Sequence, residues 1–157
     1  MGKIIATMNQ IIKYFLIVIL TVLIVAVFCQ VLFRFVLNQP LAWTEELARY
    51  CLIWITFLGA AYAMSLKSHI GMSILVEKSP LLLRRLLTVI AAIVCIGFFW
   101  LMIQQGFHLS ERSMNQLSPV LRIPMGAIYL VIPISGIVLT INLVAGVFED
   151  LRRGEEA

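Results

Sequence analysis

Long apolar segments separated by short polar connectors dominate this sequence. Tyr14–Phe33 and Tyr50–Leu66 contain no formally charged residue, and neither do Leu86–Leu109 and Met125–Phe148. An α-helix rises about 1.5 Å per residue, so roughly 20 apolar residues cross the ~30 Å hydrocarbon core of a bilayer. The pattern predicts an all-α integral membrane protein in which four transmembrane helices form a single domain over residues 1–157.

The second segment is preceded by a charged stretch that reads WTEELARY. In a helix, Thr44 can act as the N-cap and place Glu45 and Glu46 in the first turn, where the helix dipole favours carboxylates. Glu45 and Arg49 are four residues apart with the acid first, which predicts a same-face pair worth about 0.3–0.5 kcal/mol when exposed. The stretch therefore predicts an interfacial helix start before the second span.

Small side chains share one face of the second span at helical spacing: Thr56, Gly59, Ala60 and Ala63. Trp54 and Leu58 lie roughly opposite them. Small residues allow the backbone of another helix to approach closely in lipid. We therefore predict that this face is a helix-packing surface.

Polar and helix-breaking residues set the expected ends of the other helices. A polar tail that contains Lys3 and Asn9 precedes the first span, and Asn38–Pro40 ends it. Ser79-Pro80 is suited to begin the third helix as cap and first-turn residue. Pro133 should kink the fourth span, because proline lacks the N–H that a helix interior requires.

Two other features have competing interpretations. A secretory signal could explain the first apolar segment, but the segment is too long, lacks a small-residue cleavage site and is followed by further spans. The connector after the second span holds an apolar run, Ile70–Val76, that is too short to cross a bilayer. We expect this run to lie near the membrane interface.

The distribution of basic residues predicts the orientation. The termini and the second connector carry eight of them, namely Lys3, Lys13, Lys67, Lys78, Arg84, Arg85, Arg152 and Arg153. The other two connectors carry four, namely Arg34, Arg49, Arg112 and Arg122. By the positive-inside rule both termini face the cytoplasm, and the charged start of the second helix lies at the outer surface.

Composition limits the possible classes of protein. Hydrophobic residues make up 62% of the chain and the mean hydropathy is +1.03, so lipid must be its main solvent. The net charge of +4 is spread over the ends of apolar segments, which argues against a nucleic-acid partner. Three cysteines, Cys29, Cys51 and Cys95, support neither a disulfide framework nor a metal site.

Sites for catalysis or ion coupling are missing from the predicted spans. None of the four spans contains an acidic residue, whereas a stand-alone cation-coupled carrier or drug exporter needs a buried ionisable group. A membrane haem would need paired histidines, but His69 lies in a connector and His108 stands alone. We expect no enzyme activity and no cofactor, and a compact bundle with a charged outer rim.

The polar and aromatic residues at the start of the second helix and in the third span each have two interpretations. The start of the second helix either meets solvent and lipid headgroups or contacts a partner subunit, and aromatic residues there are often interfacial anchors. Gln104, Gln105 and His108 are more often bonded to a neighbouring helix than part of a substrate site. The candidate residues for a partner or lipid interface are Trp43, Glu45, Glu46, Arg49, Tyr50 and Trp54.

The stretch Trp43–Tyr50 is followed by Trp54, by FLGAA at 57–61 and by His69-Ile70. This set resembles the signature of the small membrane subunit of tripartite ATP-independent periplasmic (TRAP) transporters. One departure is Ser73, near which that family often has an acid.

A later motif supports the same resemblance. Ser118–Pro124 reads SPVLRIP and is followed by Tyr129 and Pro133. It is similar to the residues that lead into the last span of the TRAP small subunit. Arg122 departs from the family pattern, because a small residue is common at that position.

The resemblance implies a complex in the bacterial inner membrane. A soluble periplasmic binding protein delivers an organic acid to a large permease subunit, which carries the substrate and sodium sites and moves as an elevator. The small subunit belongs to the static scaffold, so its expected partners are the large subunit, the binding protein and membrane lipids. C4-dicarboxylates and sialic acid are common substrates, and overall similarity favours sialic acid.

In that family the outer residues of this stretch are expected to orient the helices and contact partners. We call these residues the collar: Trp43, Glu45, Glu46, Arg49 and Tyr50. Arg49→Glu, which brings three acids together, should weaken recovery of the complex or transport. Two other classes stay open from the sequence: a carrier that builds a pore from several copies of itself, and a membrane anchor or sensor without a transport role.

Overall fold

A computed structural model describes residues 2–39, 41–66 and 81–153. Its helices are α1 (Gly2–Phe35), α2 (Ala42–Ser65), α3 (Leu81–Ser113), α4 (Met125–Tyr129) and α5 (Val131–Arg153). Helices α1, α2 and α3 each contain a stretch long and apolar enough to cross a membrane, and a fourth such stretch, Met125–Val147, runs from α4 into α5. The predicted all-α fold with four transmembrane helices is confirmed.

The N-terminal residues form helix, which corrects the expected polar tail. Helix α1 begins at Gly2, so Lys3 and Asn9 are already helical. Asn9 is 9% exposed and lies inside the helix array. The apolar segment that starts at Tyr14 is therefore the later part of a longer helix.

The predicted cap of α2 is also corrected. The helix begins at Ala42, and its N-cap residue is Leu41, which makes no side-chain cap hydrogen bond. Thr44 is fully buried, and its hydroxyl donates to the Leu41 carbonyl over 2.8 Å. A threonine inside the first turn commonly bonds back to a preceding carbonyl in this way. Glu45 remains in the first turn.

The long helices pack in the order α1, α2, α5, α3. Helix α2 lies between α1 and α5, and α5 packs in turn on α3. Within the described residues α1 and α3 do not pack extensively against each other, so the array is open and not the compact bundle that we expected. In the most apolar window of each span, 6% of the residues are buried in α1, 11% in α3 and 39% in the span Met125–Val147. The apolar surfaces of α1 and α3 therefore remain available to lipid or to another subunit.

A small core joins the long helices. Ala61, Phe99, Val138 and Leu139 form a buried cluster from α2, α3 and α5. Met8 and Ile12 of α1 pack against this cluster, as do Met64, Cys95, Met102 and Leu143. Cys95 thus has a packing role.

Proline interrupts the last span. The break falls at Leu130, between α4 and α5 and three residues before Pro133. The interruption lies close to Pro133, at which the sequence predicts a kink. Pro133 itself is buried against α3, where a β-carbon on Gly106 would lie 2.7 Å from the Pro133 ring.

Several sequence-based expectations concern residues outside the described part of the chain. They are the helix break at Pro40, the family resemblance at His69 and Ser73, the interfacial run Ile70–Val76, and the helix start at Ser79-Pro80.

Candidate functional site

Glu46 of the collar joins two distant parts of the chain. Its side chain is 8% exposed, and its Oε2 accepts hydrogen bonds from the backbone N–H groups of Val120 and Leu121, each over 3.0 Å. The other oxygen, Oε1, accepts a hydrogen bond from the hydroxyl of Tyr50, one turn along α2. The carboxylate therefore holds the start of α2 against the connector that precedes α4.

The part of the connector that Glu46 holds is a tight loop. The Ser118 N–H donates to the Ile123 carbonyl over 3.0 Å, and the Ser118 hydroxyl accepts from the Ile123 N–H over 3.1 Å. Arg122 near the tip has a φ of 52°, the left-handed conformation that favours glycine. These features define the Ser118–Pro124 loop, whose tip turns two N–H groups toward Glu46.

Hydrogen bonding keeps Glu46 ionised. The residue lies before the apolar segment that begins at Tyr50, at the collar end of α2. Burial by itself raises the pKa of Glu46. Polar contacts with Ser118, Tyr50, Leu121 and Val120 outweigh burial and lower the pKa of Glu46 to about 2. Because these donors all favour the charged form, the loop is tied to a carboxylate and not to a carboxylic acid.

Three collar residues remain at the surface. Trp43 is 44% exposed, and Glu45 and Arg49 form the predicted pair, with 3.2 Å between Oε1 and Nη2. Both side chains of the pair are more than half exposed, so its contribution to stability is small. The collar thus divides into an internal half, Glu46 and Tyr50, and an exposed half that is accessible to a partner or to lipid headgroups.

Trp54 is half-buried and contacts α1. Its ring meets that of Phe15 edge-on, with 5.8 Å between the centroids. The side chain therefore contributes to the contact between α1 and α2. Its prediction as an interface residue stays a prediction.

The small face of α2 has no packing partner among the described residues. Thr56, Ala60 and Ala63 are exposed, and a β-carbon added to Gly59 would meet nothing within 4 Å. Close approach of helices occurs at other small residues. A β-carbon on Gly106 or Gly136 of α3 and α5 would come within 3 Å of the facing helix.

A second buried polar group was missed by sequence reasoning. The side-chain amides of Asn9 and Asn142 donate to each other over 2.8 and 3.0 Å, and Asn142 also donates to the Ala61 carbonyl over 2.9 Å. This amide cluster joins α1, α5 and α2 near the chain termini, at the end opposite the collar. A polar residue inside an apolar segment, as Asn142 is, was the available signal.

Metal-binding geometry is not found in the described part of the chain, where no three His, Cys, Asp or Glu side chains come close enough to hold an ion. His108, Gln104 and Gln105 are exposed on α3. The geometry therefore consists of two polar clusters at opposite ends of an apolar array. The two clusters hold the helices in place, and the apolar surfaces between them are left for contact with lipid or protein.

The family model described as "Tripartite ATP-independent periplasmic transporters, DctQ component" matches residues 23–153. This range includes α2, α3, α4 and α5 and both ends of the Glu46 contact. The chain belongs to the DctQ family.

Two relatives that match most of this DctQ chain are named as permease proteins of TRAP transporters. A Haemophilus influenzae protein named as a TRAP transporter small permease is 29% identical over 136 residues, which cover 87% of the chain and 84% of that protein. The isethionate TRAP transporter permease protein DctMQ of Oleidesulfovibrio alaskensis is 26% identical over 148 residues, 89% of the chain but 23% of that protein.

Other relatives differ in the substrate that their names specify. The C4-dicarboxylate TRAP transporter small permease protein of Pseudomonas aeruginosa is 34% identical over 62 residues, which are 40% of the chain and 30% of that protein. Further relatives are named for ectoine and for sialic acid. DctQ proteins are components of transporters.

The DctQ assignment explains why two motifs far apart in the sequence resemble one family. The motif at Trp43–Tyr50 and the motif at Ser118–Pro124 meet in the structure, where Glu46 binds the loop. The left-handed φ of Arg122 also gives a physical reason why a small residue suits that position.

Proposed function

We propose that this chain is the small scaffold subunit of a sodium-coupled TRAP transporter that takes up an organic acid across the bacterial inner membrane. It braces the large permease subunit, and both of its termini face the cytoplasm. The periplasmic substrate-binding protein and membrane lipids are its other partners. The substrate and sodium sites belong to the large subunit.

The relative named DctMQ carries this proposal. A segment like this chain accounts for 23% of a single permease protein, which therefore keeps that segment bound to a much longer sequence. We propose that the longer sequence corresponds to the large subunit, to which this chain binds without a covalent link. The open array and the exposed apolar surfaces of α1 and α3 support the proposal, because a brace needs uncovered surface for its partner.

The predicted interface residues fit this role in different ways. Trp43, Glu45 and Arg49 are exposed at the collar end, where the large subunit or a docked binding protein can reach them. The exposed small face of α2, formed by Thr56, Gly59, Ala60 and Ala63, can receive a transmembrane helix of the large subunit. Glu46 and Tyr50 act indirectly, because they hold the Ser118–Pro124 loop in place.

The direct test is co-purification followed by transport. The tagged chain should retain the large permease subunit, and vesicles containing both, supplied with binding protein and a sodium gradient, should accumulate substrate. Vesicles containing this chain alone should accumulate none. Solute uptake by the chain alone would contradict the proposal and favour a self-assembling carrier. Unchanged uptake after deletion of the chain would favour an anchor without a transport role.

Arg49→Glu tests the collar, and it has a matched control. The substitution places two acids four residues apart, and we expect less co-purified permease or slower uptake. The control combines Glu45→Arg with Arg49→Glu, which restores an ion pair in reversed order. Rescue by the control would show that the pair only stabilises α2, whereas persistent loss would indicate a partner contact. Wild-type recovery and uptake of Arg49→Glu would contradict the collar role.

Sialic acid is our first choice of substrate, and the test is competitive. A relative named for sialic acid supports it, while other relatives are named for C4-dicarboxylates, isethionate or ectoine. Uptake of radiolabelled sialic acid should be measured against an excess of each of the other three compounds. Failure of sialic acid to accumulate, with uptake of one of the others, would correct the substrate and leave the scaffold role in place.

A further inference from the structure

Two cavities adjoin each other beside the N-terminal half of α1. The first has a volume of about 320 Å³ and lies between α1, α2 and α5, with Trp54 among its walls. The second has a volume of about 430 Å³, and its described walls belong to α1, from Lys3 to Ile11. Met8 and Ile11 line both cavities, so the two form one continuous space, here called the α1 groove. Each volume is within the range of ligand pockets, about 300–1,000 Å³.

The α1 groove changes from polar to apolar along its length. Its second cavity is lined by Lys3 and Thr7. The Thr7 hydroxyl donates to the Lys3 carbonyl over 2.9 Å, so the Lys3 ammonium is the charged donor at this end. The walls of the first cavity include Trp54 of α2 and Ile134 of α5, which belong to segments without charge. The groove therefore has a cationic end and an apolar end.

The cationic end of the groove lies on the water side of the apolar end. The uncharged segment that begins at Tyr14 is long enough to cross the bilayer by itself, so the residues just before it are at the membrane edge. Along α1, Ile11 precedes Tyr14 by about 4.5 Å and Thr7 precedes it by about 10 Å. The groove thus runs from the headgroup region toward the hydrocarbon.

Apolar side chains beside Lys3 are uncovered within the described chain. Ile4 is 79% exposed and Ile11 is 64% exposed, and both line the second cavity. A free phosphate ion would pair with the ammonium but leave these side chains in water. An apolar helix would cover them but leave the ammonium without a polar partner. A molecule with an anionic head and an apolar chain satisfies both.

We propose that the α1 groove binds one anionic phospholipid, with its phosphate at Lys3 and an acyl chain between α1, α2 and α5. The proposal makes the lipid partner of the proposed function specific and rests on it for the cytoplasmic orientation of the N-terminus. Charge complementarity selects the occupant, because basic pockets between membrane helices on the cytoplasmic side bind anionic headgroups. Lys3 is also in the first turn of α1, where the helix dipole favours an anion.

The test measures lipid binding by the purified full chain in detergent. Phosphatidylglycerol, phosphatidylcholine with the same acyl chains, and inorganic phosphate are each titrated against the melting temperature, and native mass spectrometry counts the retained lipid. We expect one phosphatidylglycerol per chain and a higher melting temperature with this lipid than with phosphatidylcholine. Inorganic phosphate should have no effect.

The charge of the site is tested by Lys3→Met, with Lys13→Met as the matched control. Lys13 is an exposed lysine on the same helix that does not line the groove, so both variants lower the net charge equally. Lys3→Met should weaken phosphatidylglycerol binding by about fivefold, roughly the contribution of one lysine near an anionic surface. Lys13→Met should change it much less.

The acyl-chain part is tested by Ile11→Trp, with Ile17→Trp as the matched control. Ile11 lines both cavities, and a larger side chain there closes the passage between them. Ile17 is 48% exposed on the same helix and lines neither cavity. Ile11→Trp should lower the retained phosphatidylglycerol, whereas Ile17→Trp should retain wild-type amounts. All four variants should melt at the wild-type temperature when no lipid is added.

Three results would overturn the inference. Equal binding of phosphatidylglycerol and phosphatidylcholine would remove the role of charge, and equal loss in Lys3→Met and Lys13→Met would show general attraction to an anionic surface. A lower melting temperature of Lys3→Met without lipid would assign Lys3 to a contact within the chain. In each case retention of the large permease subunit by the wild-type chain would leave the proposed scaffold role standing, and that role fails only if the wild-type chain retains no permease.

Discussion

At the scale of single residues, Glu46 is a charged side chain whose hydrogen bonds hold two parts of its own chain together. Its carboxylate is satisfied by donors from its own helix and from the Ser118–Pro124 loop. Glu45, its neighbour in sequence, points outward and pairs with Arg49. Adjacent acids thus have different roles, because consecutive side chains on a helix point about 100° apart.

Glu46→Gln should loosen the loop in a pH-dependent way. The folded pKa of Glu46 is lowered to about 2, so the carboxylate contributes stability above its unfolded pKa and loses that contribution as the pH falls toward 2. In detergent, wild type should melt at a higher temperature than Glu46→Gln at pH 7. The difference should shrink between about pH 4.5 and pH 2. Glu45→Gln is the exposed control, and an equal effect of both variants at pH 7 would contradict the role of Glu46.

Arg122 should be replaceable by glycine without loss of stability. Its φ of 52° disfavours a residue with a β-carbon, by about 1–2 kcal/mol in the left-handed region. Arg122→Gly should therefore match or exceed the melting temperature of wild type. Arg122→Val should melt lower, because β-branched residues tolerate this conformation worst. Equal melting temperatures of Arg122→Val and Arg122→Gly would contradict the observed backbone geometry.

At the scale of helices, glycine sets the contact between α3 and α5. A β-carbon on Gly106 would lie 2.7 Å from the Pro133 ring and 3.0 Å from its backbone nitrogen. The small face of α2, which the sequence predicts to be a packing surface, is exposed instead. Small residues therefore occur in two kinds of surface. One is packed against another helix of this chain, and the other is exposed.

Gly106→Ala should destabilise the array, whereas Gly97→Ala should not. Both glycines are in α3, but a β-carbon at Gly97 meets nothing within 4 Å. Overpacking at Gly106 should cost about 1–3 kcal/mol, since the facing proline ring and backbone cannot move freely. Gly97→Ala should be neutral or slightly stabilising, because alanine favours helix. Unfolding in detergent measures both, and equal stability of the two variants would contradict the packing.

The amide cluster should behave as one unit. Asn9→Leu and Asn142→Leu should each destabilise the chain by about 0.6–2 kcal/mol, because each leaves a buried amide without its reciprocal partner. The double variant should cost much less than the sum of the two, since neither amide then remains. A double-mutant cycle in detergent measures this coupling. Additive effects would show that the two amides act independently.

At the scale of the whole molecule, the open array is a consequence of lipid as solvent. A soluble protein must close its apolar surfaces, but a membrane helix can leave them in contact with acyl chains. Polar contacts therefore fix the arrangement at both ends, through Glu46 and through Asn142. The apolar outer surfaces of α1 and α3 are left for lipid or for a partner.

Partner binding should raise the stability of this array. A ligand that binds only the folded chain stabilises it in proportion to the logarithm of its concentration over its Kd. We expect the chain to melt at a higher temperature in complex with the large permease subunit than alone in the same detergent and lipid. An unrelated membrane protein of similar size serves as the control. Equal melting temperatures in the presence and absence of the permease would contradict a bracing role.

The sequence by itself determined the membrane class, the four spans and the Glu45–Arg49 pair. Each of these depends on residues close together in the chain. A segment crosses lipid if it is long and apolar enough, and residues four apart in a helix share a face whatever the rest of the protein does. The break near Pro133 was predictable for the same reason.

Tertiary structure alone decided which residues far apart in the chain meet. Glu46 binds an N–H group 74 residues away, and Asn9 binds an amide 133 residues away. The order of the helices and the close packing at Gly106, which Gly59 lacks, also depend on the register between helices. That register is set by contacts across the array, and hydrophobic periodicity within one segment carries no information about it.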